Sequence, residues 1–560
     1  MGLVLFAGVA VRSHAQDRLD LPAVKPVMTC DQLAKTDLGK VYDYPATITS
    51  ATLLDTPKGK YCKVIGKVQQ STIFEVDLPL EHWTQRFLEL ASNSSAIANG
   101  GSCAPALNGD LAVAFSSSGR SGSRENATWT SDLQQRIDSA YRGIHATTLA
   151  AKAVIKVFYG QPQRFSYFMG CSAGGRAAMH EVERFPDDFD GVSAGSPVLI
   201  DSQHNIFYHP WESYINKRAD GSRILAKSRI GILHDAVMAH CATVSGALDG
   251  VLLQPTACQF DSAWVQCKAG ATDTLKCLTA EEVGVVENLY KGPGDGKGHH
   301  FEIAGFAMGS ENIWGLSTVD HVANPEAKEG WQMKRLLPPP ESNKDNATLE
   351  NEFRFNQEWF EKTLVLAPLY NAANTNIRPF QERGGKLILW NGAEDLTVQP
   401  EISVAYYQGV QKELGAKMTD SFMRLFMIPG FGHCEGGEMP FQFDTLTPLM
   451  AWTELHRAPA MILAGKAAAG GTSGPVLYGG PHNPVAWPNQ PNAFTRPIYP
   501  FPNMARYSGK GDPNNAASYE SVKSGAPVPQ KFYPEMTLLI APNTQKFYHV
   551  ENGQLVPDQK

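Results

Sequence analysis

The sequence lacks the features that mark several large classes of protein. It has no long block of like charge, no internal repeat and, after its first residues, no run of about 18 apolar residues that could cross a membrane. Its net charge is −7 over 560 residues, which favours neither a nucleic-acid partner nor an anionic membrane surface. The length exceeds what one hydrophobic core usually serves, so we expect two domains or one core with a large insertion.

The first residues predict export. Residues 1–11 are apolar, and Ser13 and Ala15 are small side chains of the kind found at cleavage sites, so residues 1–15 are interpreted as a signal peptide. A buried N-terminal strand is the alternative. The signal peptide implies a secreted or periplasmic protein.

The nine cysteines agree with an oxidising compartment, because an odd number still allows four bridges. Cys103 is left over from the pairs that spacing suggests. Those pairs are Cys30 with Cys62, Cys241 with Cys258, Cys267 with Cys277, and Cys171 with Cys434. A set of reduced, buried cysteines is the alternative.

A serine motif marks a candidate nucleophile. Residues 170–174 read Gly-Cys-Ser-Ala-Gly, which satisfies the Gly-x-Ser-x-Gly pattern of a nucleophile elbow with Ser172 at its centre. Residues 164–169 predict a strand before the motif, and residues 175–185 carry helical spacing after it, as an elbow requires. The pattern alone occurs by chance in many proteins, so the hypothesis needs a base and an acid elsewhere in the chain.

Two later segments offer that base and that acid. Asp395 follows the predicted strand 386–390, with the adjacent Glu394 as its competitor. His433 follows the predicted strand 423–427. A serine hydroxyl becomes nucleophilic when a histidine takes its proton and an acid holds the histidine in the right tautomer.

The chain order Ser172, Asp395, His433 is that of α/β-hydrolases. A bridge between Cys171 and Cys434 would bring the serine and the histidine together, because bridged cysteines keep their Cα atoms about 4.4–6.8 Å apart. These residues together predict a catalytic triad and a serine esterase.

The oxyanion of such a reaction needs backbone donors. The elbow points the N–H of Ala173 toward the developing charge. A second N–H is expected from a glycine-rich loop after an early strand, and Gly101 within residues 99–101 is the candidate. A plain turn is the alternative for that loop.

Two changes of character divide the chain. Residues 16–198 and 379–560 carry strand–helix rhythm, whereas residues 199–378 hold four cysteines, a glycine-rich run and three consecutive prolines. We therefore predict an α/β fold, with an α/β-hydrolase core and a large inserted lid domain over the active site. Residues 460–525 are rich in Gly, Pro and Asn and are expected to wrap the core as loops.

Further short motifs accompany the Cys-Ser and His-Cys dipeptides. They read Phe-Tyr-Gly at 158–160, Gly-Gly-Arg at 174–176, Phe-Pro-Asp-Asp-Phe-Asp-Gly at 185–191, Gly-Gly-Lys-Leu at 384–387, Pro-Gly-Phe-Gly-His-Cys at 429–434 and Arg-Pro-Ile-Tyr-Pro at 496–500. With them the chain resembles the tannase and feruloyl esterase family, which also contains the esterase that acts on mono(2-hydroxyethyl) terephthalate. The resemblance implies a lid between the sixth and seventh core strands, hydrolysis of esters of aromatic acids, and a real Cys171–Cys434 bridge.

One departure from the family pattern concerns metal binding. The resemblance implies a calcium ion in the loop between Cys241 and Cys258, held by three aspartates and two carbonyls. Here Ala242 and Ser245 stand where the first two aspartates would be, and only Asp249 remains. Since calcium takes about six to eight oxygen ligands, several of them carboxylates, we predict that the site is lost and that the protein uses no metal.

The substrate class follows from the resemblance, as a small aromatic ester cleaved without a cofactor. A feruloyl or hydroxycinnamoyl ester is favoured, and a gallate ester or a terephthalate half-ester is the alternative. A peptidase or lipase on the same core is an enzymatic rival, and a non-catalytic binding scaffold is a hypothesis of a different class. Candidate substrate contacts, with ordinary lid packing as their alternative, are Phe353, Arg354, Phe355, Trp359 and Phe360.

Overall fold

A mixed sheet of ten strands organises the protein. The computed structural model describes residues 18–41, 44–56, 59–68, 71–91, 110–120, 128–314, 330–439, 441–466, 474–475, 494–523 and 536–559. With strands numbered in chain order, the sheet runs β1 (Asp37–Val41), β2 (Tyr44–Thr56), β3 (Gly59–Val68), β4 (Thr72–Pro79), β6 (Leu111–Ser116), β5 (Arg86–Ala91), β7 (Phe165–Cys171), β8 (Gly191–Gly195), β11 (Lys386–Gly392) and β12 (Met423–Ile428). In the described part of the chain, no helix is long and apolar enough to span a membrane.

The two halves of the sheet differ in direction and burial. Strands β1 to β4 pair antiparallel, and burial alternates along β3, as expected for early strands with one covered face. From β6 to β12 the pairing is parallel. Here Leu387 and Leu389 of β11 belong to one apolar cluster, and Ile388 and Trp390 belong to another. Both faces of the parallel half are therefore covered.

Helices cover these two faces. Val154 packs in the same cluster as Leu387, and Leu449 packs in the same cluster as Ile388. The chain leaves the longest of these helices at Gly160, whose φ of 70° lies in the left-handed region that favours glycine. The core helices are α1 (Cys30–Leu33), α2 (Leu133–Ile137), α3 (Gly143–Tyr159), α4 (Ala173–Arg184), α14 (Pro400–Leu414), α15 (Ala416–Phe422) and α16 (Leu446–Leu455).

An insertion separates β8 from β11, although these strands are neighbours in the sheet. If the core is counted as the eight strands β3 to β8, β11 and β12, the insertion lies between the sixth core strand, β8, and the seventh, β11. It builds its own apolar cluster around Leu252, Val286 and Trp314. Its elements are α5 (Asp201–Gln203), α6 (His209–Ile215), α7 (Lys227–Ser245), β9 (Ala247–Leu248), β10 (Val251–Leu252), α8 (Ala280–Lys291), α9 (Gly330–Leu336), α10 (Asn346–Glu352), α11 (Gln357–Leu364), α12 (Ala367–Tyr370) and α13 (Arg378–Glu382).

The C-terminal part of the chain adds short strands against the core. Residues 460–525 are expected from the sequence to form loops, and this is wrong where the structure describes them, because short paired strands are present there. These strands lack the alternation of apolar and polar residues by which a sequence indicates a strand. Two-stranded pairs follow, and Tyr548 of the last pair donates its N–H to the Tyr141 hydroxyl at 3.0 Å. These strands are β13 (Phe441–Phe443), β14 (Ile462–Lys466), β15 (Gly474–Pro475), β16 (Thr495–Ile498), β17 (Asn503–Tyr507), β18 (Tyr519–Lys523), β19 (Tyr548–Glu551) and β20 (Gln554–Pro557).

Candidate active site

Ser172 lies at a strained turn between β7 and α4. Its backbone has φ 63° and ψ −124°, a conformation that costs free energy in any residue other than glycine. A Cβ on Gly170 would lie 2.3 Å from the Gly174 oxygen, and a Cβ on Gly174 would lie 2.1 Å from the Ala91 oxygen. Both flanking positions therefore require glycine, and the turn has the form of a nucleophile elbow.

Hydrogen bonds fix the backbone of this turn, whereas the Ser172 hydroxyl does not cap the helix. The Ser172 N–H donates to the Gly195 oxygen at 3.0 Å, and the Arg176 N–H donates to the Ser172 oxygen at 2.9 Å. The Ser172 side chain makes no capping hydrogen bond to α4 and is only partly buried. Ala173 begins α4, where N–H groups lack intrahelical partners and carry partial positive charge. Gly101, the second expected oxyanion donor, lies outside the described residues.

His433 and Asp395 are in direct contact. His433 Nδ1 lies 2.9 Å from Asp395 Oδ2. The other oxygen, Oδ1, accepts the N–H groups of Thr397 and Val398, each at 2.9 Å. Backbone donors thus fix the buried carboxylate so that its remaining oxygen meets the imidazole and sets its tautomer. The His433 side chain keeps 16% of its surface exposed, so a bound molecule can reach it.

Asn391 supports this pair and is not singled out by the sequence. Its Nδ2 donates to Asp395 Oδ2 at 3.3 Å, and the Ser403 hydroxyl donates to Asn391 Oδ1 at 2.7 Å. The available signal is one amide directly after the apolar run 387–390. The sequence does not say which residue that amide contacts.

A disulfide joins the Ser172 turn to the His433 loop. Cys171 and Cys434 are bonded with their Cα atoms 6.0 Å apart, although they are separated by 263 positions. Because Cys171 precedes Ser172 and Cys434 follows His433, the bond brings these two segments together. Cys103 lies outside the described residues. The other expected pairs are also bonded: Cys30 with Cys62, Cys241 with Cys258, and Cys267 with Cys277.

Glu394, the competitor of Asp395, has a different partner. Its Oε2 accepts the N–H of Glu438 at 3.3 Å, and its side chain is buried. Burial raises the pKa of the Glu394 carboxyl well above its ordinary value, and the charge of Glu438 acts in the same direction. A carboxyl biased toward its neutral form is a weak partner for an imidazolium, so Asp395 has the better environment for that role.

The loop between Cys241 and Cys258 does not fit a calcium ion. The two carboxylate oxygens of Asp249 lie 2.7 Å from Nε and Nη2 of Arg496. The side chain of Ala242 has no ligand atom, and that of Ser245 offers only a hydroxyl. The one carboxylate at the three expected positions is thus already neutralised by a guanidinium, whereas calcium needs several.

The five candidate substrate contacts lie in or beside an aromatic cluster of the insertion. Phe353 and Trp359 are buried, and Phe355 and Phe360 are partly buried. The exposed Arg354 donates to the carbonyl oxygens of residues 351 and 353, both at 2.7 Å. The ring contacts described for the four aromatic residues are with one another and with Phe207, Trp211, Tyr214 and Phe301.

Comparison with known proteins identifies the family. The model of the tannase and feruloyl esterase family matches residues 58–522. The chain is similar to mono(2-hydroxyethyl) terephthalate hydrolase of Piscinibacter sakaiensis, with 29% identity in an alignment that covers 85% of this chain and 86% of that protein. It is also similar to the crystal structure of an esterase from Aspergillus oryzae, with a TM-score of 0.70, 22% identity and coverage of 88% of this chain and 100% of that one.

Feruloyl esterase B from Aspergillus oryzae is a further structural relative, with a TM-score of 0.69 and 22% identity over 85% of this chain and 97% of that chain. These structural likenesses show the α/β-hydrolase fold. The matched family residues cover the elbow, the carboxylate and the histidine described above. The chain belongs to the tannase and feruloyl esterase family and is a carboxylic ester hydrolase.

Proposed function

We propose that this esterase hydrolyses esters of aromatic carboxylic acids, with Ser172 as nucleophile, His433 as general base and Asp395 as the acid that orients it. The observation that carries the proposal is the Cys171–Cys434 disulfide, which attaches the loop of the base to the turn of the nucleophile. Reacting groups held in this way need less reorganisation at the moment of reaction.

Acylation is the first step. His433 takes the proton of the Ser172 hydroxyl, and the serine oxygen attacks the ester carbonyl carbon. The N–H group of Ala173 stabilises the oxyanion, and the second donor that the sequence predicts is the N–H of Gly101. When the intermediate collapses, the bond to the alcohol oxygen breaks, and His433 returns its proton to the departing alcohol.

Deacylation repeats these roles with water. His433 removes a proton from a water molecule that attacks the acyl carbon, and the proton then passes to the Ser172 oxygen as the aromatic acid leaves. Asp395 stabilises the imidazolium in both steps. Side chains and water supply every proton and electron pair, so the reaction requires no cofactor.

A feruloyl or hydroxycinnamoyl ester is the favoured substrate, with a gallate ester or a terephthalate half-ester as the alternative. Family membership supports an aromatic acid, since named relatives include a feruloyl esterase and a hydrolase of a terephthalate half-ester. Phe355 and Phe360 are partly buried rings, and we assign them contacts with the aromatic part of the substrate. We also assign to the substrate-binding surface the neighbouring side chains Phe353 and Trp359, which are buried, and Arg354, which is exposed.

We also propose that the protein works outside the cytoplasm. Four disulfide bonds are present among the described residues, and such bonds persist mainly in oxidising compartments. Measuring the enzyme in the culture medium, the periplasm and the cytoplasm of cells that produce it tests this location.

Turnover of methyl ferulate, methyl gallate and mono(2-hydroxyethyl) terephthalate tests the activity. Ser172→Ala should abolish hydrolysis of whichever ester the wild type cleaves, because it removes the nucleophile. Ser421→Ala is the matched control, since the exposed Ser421 hydroxyl donates to the Met418 oxygen at the surface. Undiminished turnover by Ser172→Ala would refute the assignment of the nucleophile.

The same panel separates the alternatives. Preference for the gallate or the terephthalate half-ester by kcat/KM would replace the feruloyl assignment while leaving the mechanism intact. A folded wild type that cleaves none of these esters, nor a simple nitrophenyl ester, would favour a scaffold that binds without catalysis.

A further inference from the structure

A group of acidic side chains and one histidine connects the insertion to both catalytic loops. We call it the lid–loop cluster, and it consists of His234, Glu311, Glu438 and Glu394. His234 lies on α7 and Glu311 lies later in the insertion. Glu438 follows His433 in the same loop, and Glu394 directly precedes Asp395. The cluster thus includes one residue from the loop that holds His433 and one from the loop that holds Asp395.

Both ring nitrogens of His234 are close to carboxylates. Nδ1 lies 2.9 Å from Glu311 Oε2, and Nε2 lies 3.7 Å from Glu438 Oε1. The first distance is a hydrogen bond and the second is an ion-pair contact. Only the imidazolium carries a proton on both nitrogens, so the charged form of His234 suits both neighbours at once.

Glu311 is fixed within the insertion. Its Oε1 accepts the Tyr290 hydroxyl at 2.6 Å and the Gly309 N–H at 2.8 Å, and its side chain is fully buried. One oxygen is therefore held by the insertion, and the other is available to His234. His234 is thus hydrogen-bonded to a carboxylate that other residues of the insertion hold in place.

The two catalytic loops are also tied to each other at this place. Glu394 accepts the Glu438 N–H at 3.3 Å, and the Glu394 N–H donates to the Phe431 oxygen at 3.1 Å. The insertion also reaches the loop of the acid, because the Tyr208 hydroxyl donates to the Leu396 oxygen at 3.0 Å. The contact between His234 and Glu438 can therefore influence the position of both segments, the one that carries His433 and the one that carries Asp395.

We propose that His234 is a positioning residue for the esterase reaction, whose imidazolium links Glu311 of the insertion to Glu438 of the His433 loop and thereby holds the base and the acid in register. This inference rests on the triad assigned in the proposed function. His234 touches no reacting atom in this scheme, and it acts through the position of the His433 loop.

The link should depend on pH. Burial lowers the pKa of His234, but the hydrogen bond and charge of Glu311 and the charges of Glu438 and Asp235 outweigh it, so the pKa lies above its ordinary value. The charged link is therefore complete at low pH and disappears as pH rises through that elevated pKa. Burial raises the pKa of Glu438, so protonation of this carboxyl weakens the link at the acid end.

Steady-state kinetics with p-nitrophenyl acetate from pH 5 to pH 9 test the proposal, because this ester depends on the triad but not on the aromatic acid. His234→Ala should lower kcat about threefold to tenfold at neutral pH, the range expected for loss of one coupling contact. It should change KM less, and it should remove the fall in kcat that we expect of the wild type at high pH, where His234 loses its charge. His234→Lys, which stays charged to higher pH, should restore kcat and extend the active range upward.

His299→Ala is the matched control, since the exposed His299 forms a comparable pair with Asp295 in the insertion, with Nδ1 and Oδ2 2.7 Å apart. Glu438→Gln keeps the size of the side chain and removes its charge, so it should lower kcat without adding to the effect of His234→Ala. Additive effects in the double variant, or a pH profile of kcat unchanged by His234→Ala, would overturn the proposal. Ser172→Ala, measured in parallel, reports on the triad separately.

Discussion

Arg496 of strand β16 and Asp249 of the β9–β10 hairpin in the insertion form a two-point ion pair, with both N···O distances at 2.7 Å. The guanidinium carbon of Arg496 also lies 3.8 Å from the ring centre of Phe494 and 4.7 Å from that of Tyr519. The Arg496 side chain is 6% exposed and the Asp249 side chain is 24% exposed. The pair therefore holds the hairpin against the core in a partly desolvated setting, where an ion pair matters more than it does in water.

Replacing Arg496 by alanine should destabilise the protein. The variant loses the ring contacts and leaves Asp249 without its cation, and we expect a loss of about 2 kcal/mol in the free energy of unfolding. Arg506→Ala is the control, because the exposed Arg506–Glu520 pair should contribute less than about 1 kcal/mol. Equal shifts of the thermal midpoint for the two variants would contradict this account of the buried pair.

Calcium should not affect stability. Asp249 is already neutralised, and Ala242 and Ser245 provide no carboxylate, so neither a calcium chelator nor added calcium chloride should shift the thermal midpoint. Thermal unfolding followed by circular dichroism with and without each reagent measures this. A clear fall with the chelator, reversed by calcium, would show that the Cys241–Cys258 loop holds the ion after all.

Removing the bond between Cys171 and Cys434 should slow catalysis while leaving the fold. The Cys171→Ala and Cys434→Ala double variant frees the His433 loop from the elbow, and misplacement by about 1 Å can cost on the order of a hundredfold in rate. We therefore expect kcat to fall at least tenfold. The matched double variant at Cys267 and Cys277 removes a bond within the insertion and should leave kcat unchanged, and normal turnover in the first variant would reduce its bond to a stabilising role.

Replacing Asp395 by asparagine should nearly abolish turnover. An amide in place of the carboxylate cannot stabilise the imidazolium, and it favours the wrong tautomer of His433, which in other triads lowers kcat about ten-thousandfold. Asp420→Asn is the control, since Asp420 accepts the Tyr407 hydroxyl at 3.1 Å away from the triad. Retention of most of kcat by Asp395→Asn would point to another acid, and Glu394 would then be the first residue to replace.

The nucleophile elbow and the order of strands and helices around it could be predicted because local sequence patterns indicate them. Strand, glycine-flanked serine and helix occur together around Ser172, and the histidine and carboxylate follow buried strands. The cysteine pairs were accessible for a similar reason, since Cys171 and Cys434 adjoin residues with a chemical role. Local sequence patterns were thus sufficient to predict a contact wherever the residues on both sides of it carry a recognisable motif.

The remaining contacts join segments without any shared local signal. Asp249 and Arg496 are 247 positions apart, and neither residue indicates the other. The strands after residue 460 are short, and those up to residue 525 lie in a segment rich in glycine and proline. Their strand conformation therefore depends on pairing with neighbouring strands more than on the intrinsic propensity of their residues. The partners of His234 follow from how the insertion packs on the loops, which only the folded chain defines.

The contribution of Glu89 to stability should decrease as pH rises from about 4.5 to about 8. Burial raises the pKa of this carboxyl from 4.5 to about 8, against the opposing hydrogen bond from Thr148. The folded state therefore keeps a proton that the unfolded chain releases, so this stabilising contribution is complete below about pH 4.5 and is lost as pH rises through about 8.

Glu89→Gln stays neutral and keeps an acceptor for the Thr148 hydroxyl, which donates to Glu89 Oε2 at 2.7 Å. Its thermal midpoint should fall less between pH 5 and pH 8 than that of the wild type. At pH 8 its free energy of unfolding should have gained on the order of 1–3 kcal/mol relative to the wild type. Glu81→Gln serves as the control, because the Glu81 side chain is 65% exposed and its replacement should leave the pH trend unchanged. Parallel pH curves for the wild type and Glu89→Gln would mean that the buried carboxyl is ionised in the folded protein, with Lys152 balancing its charge.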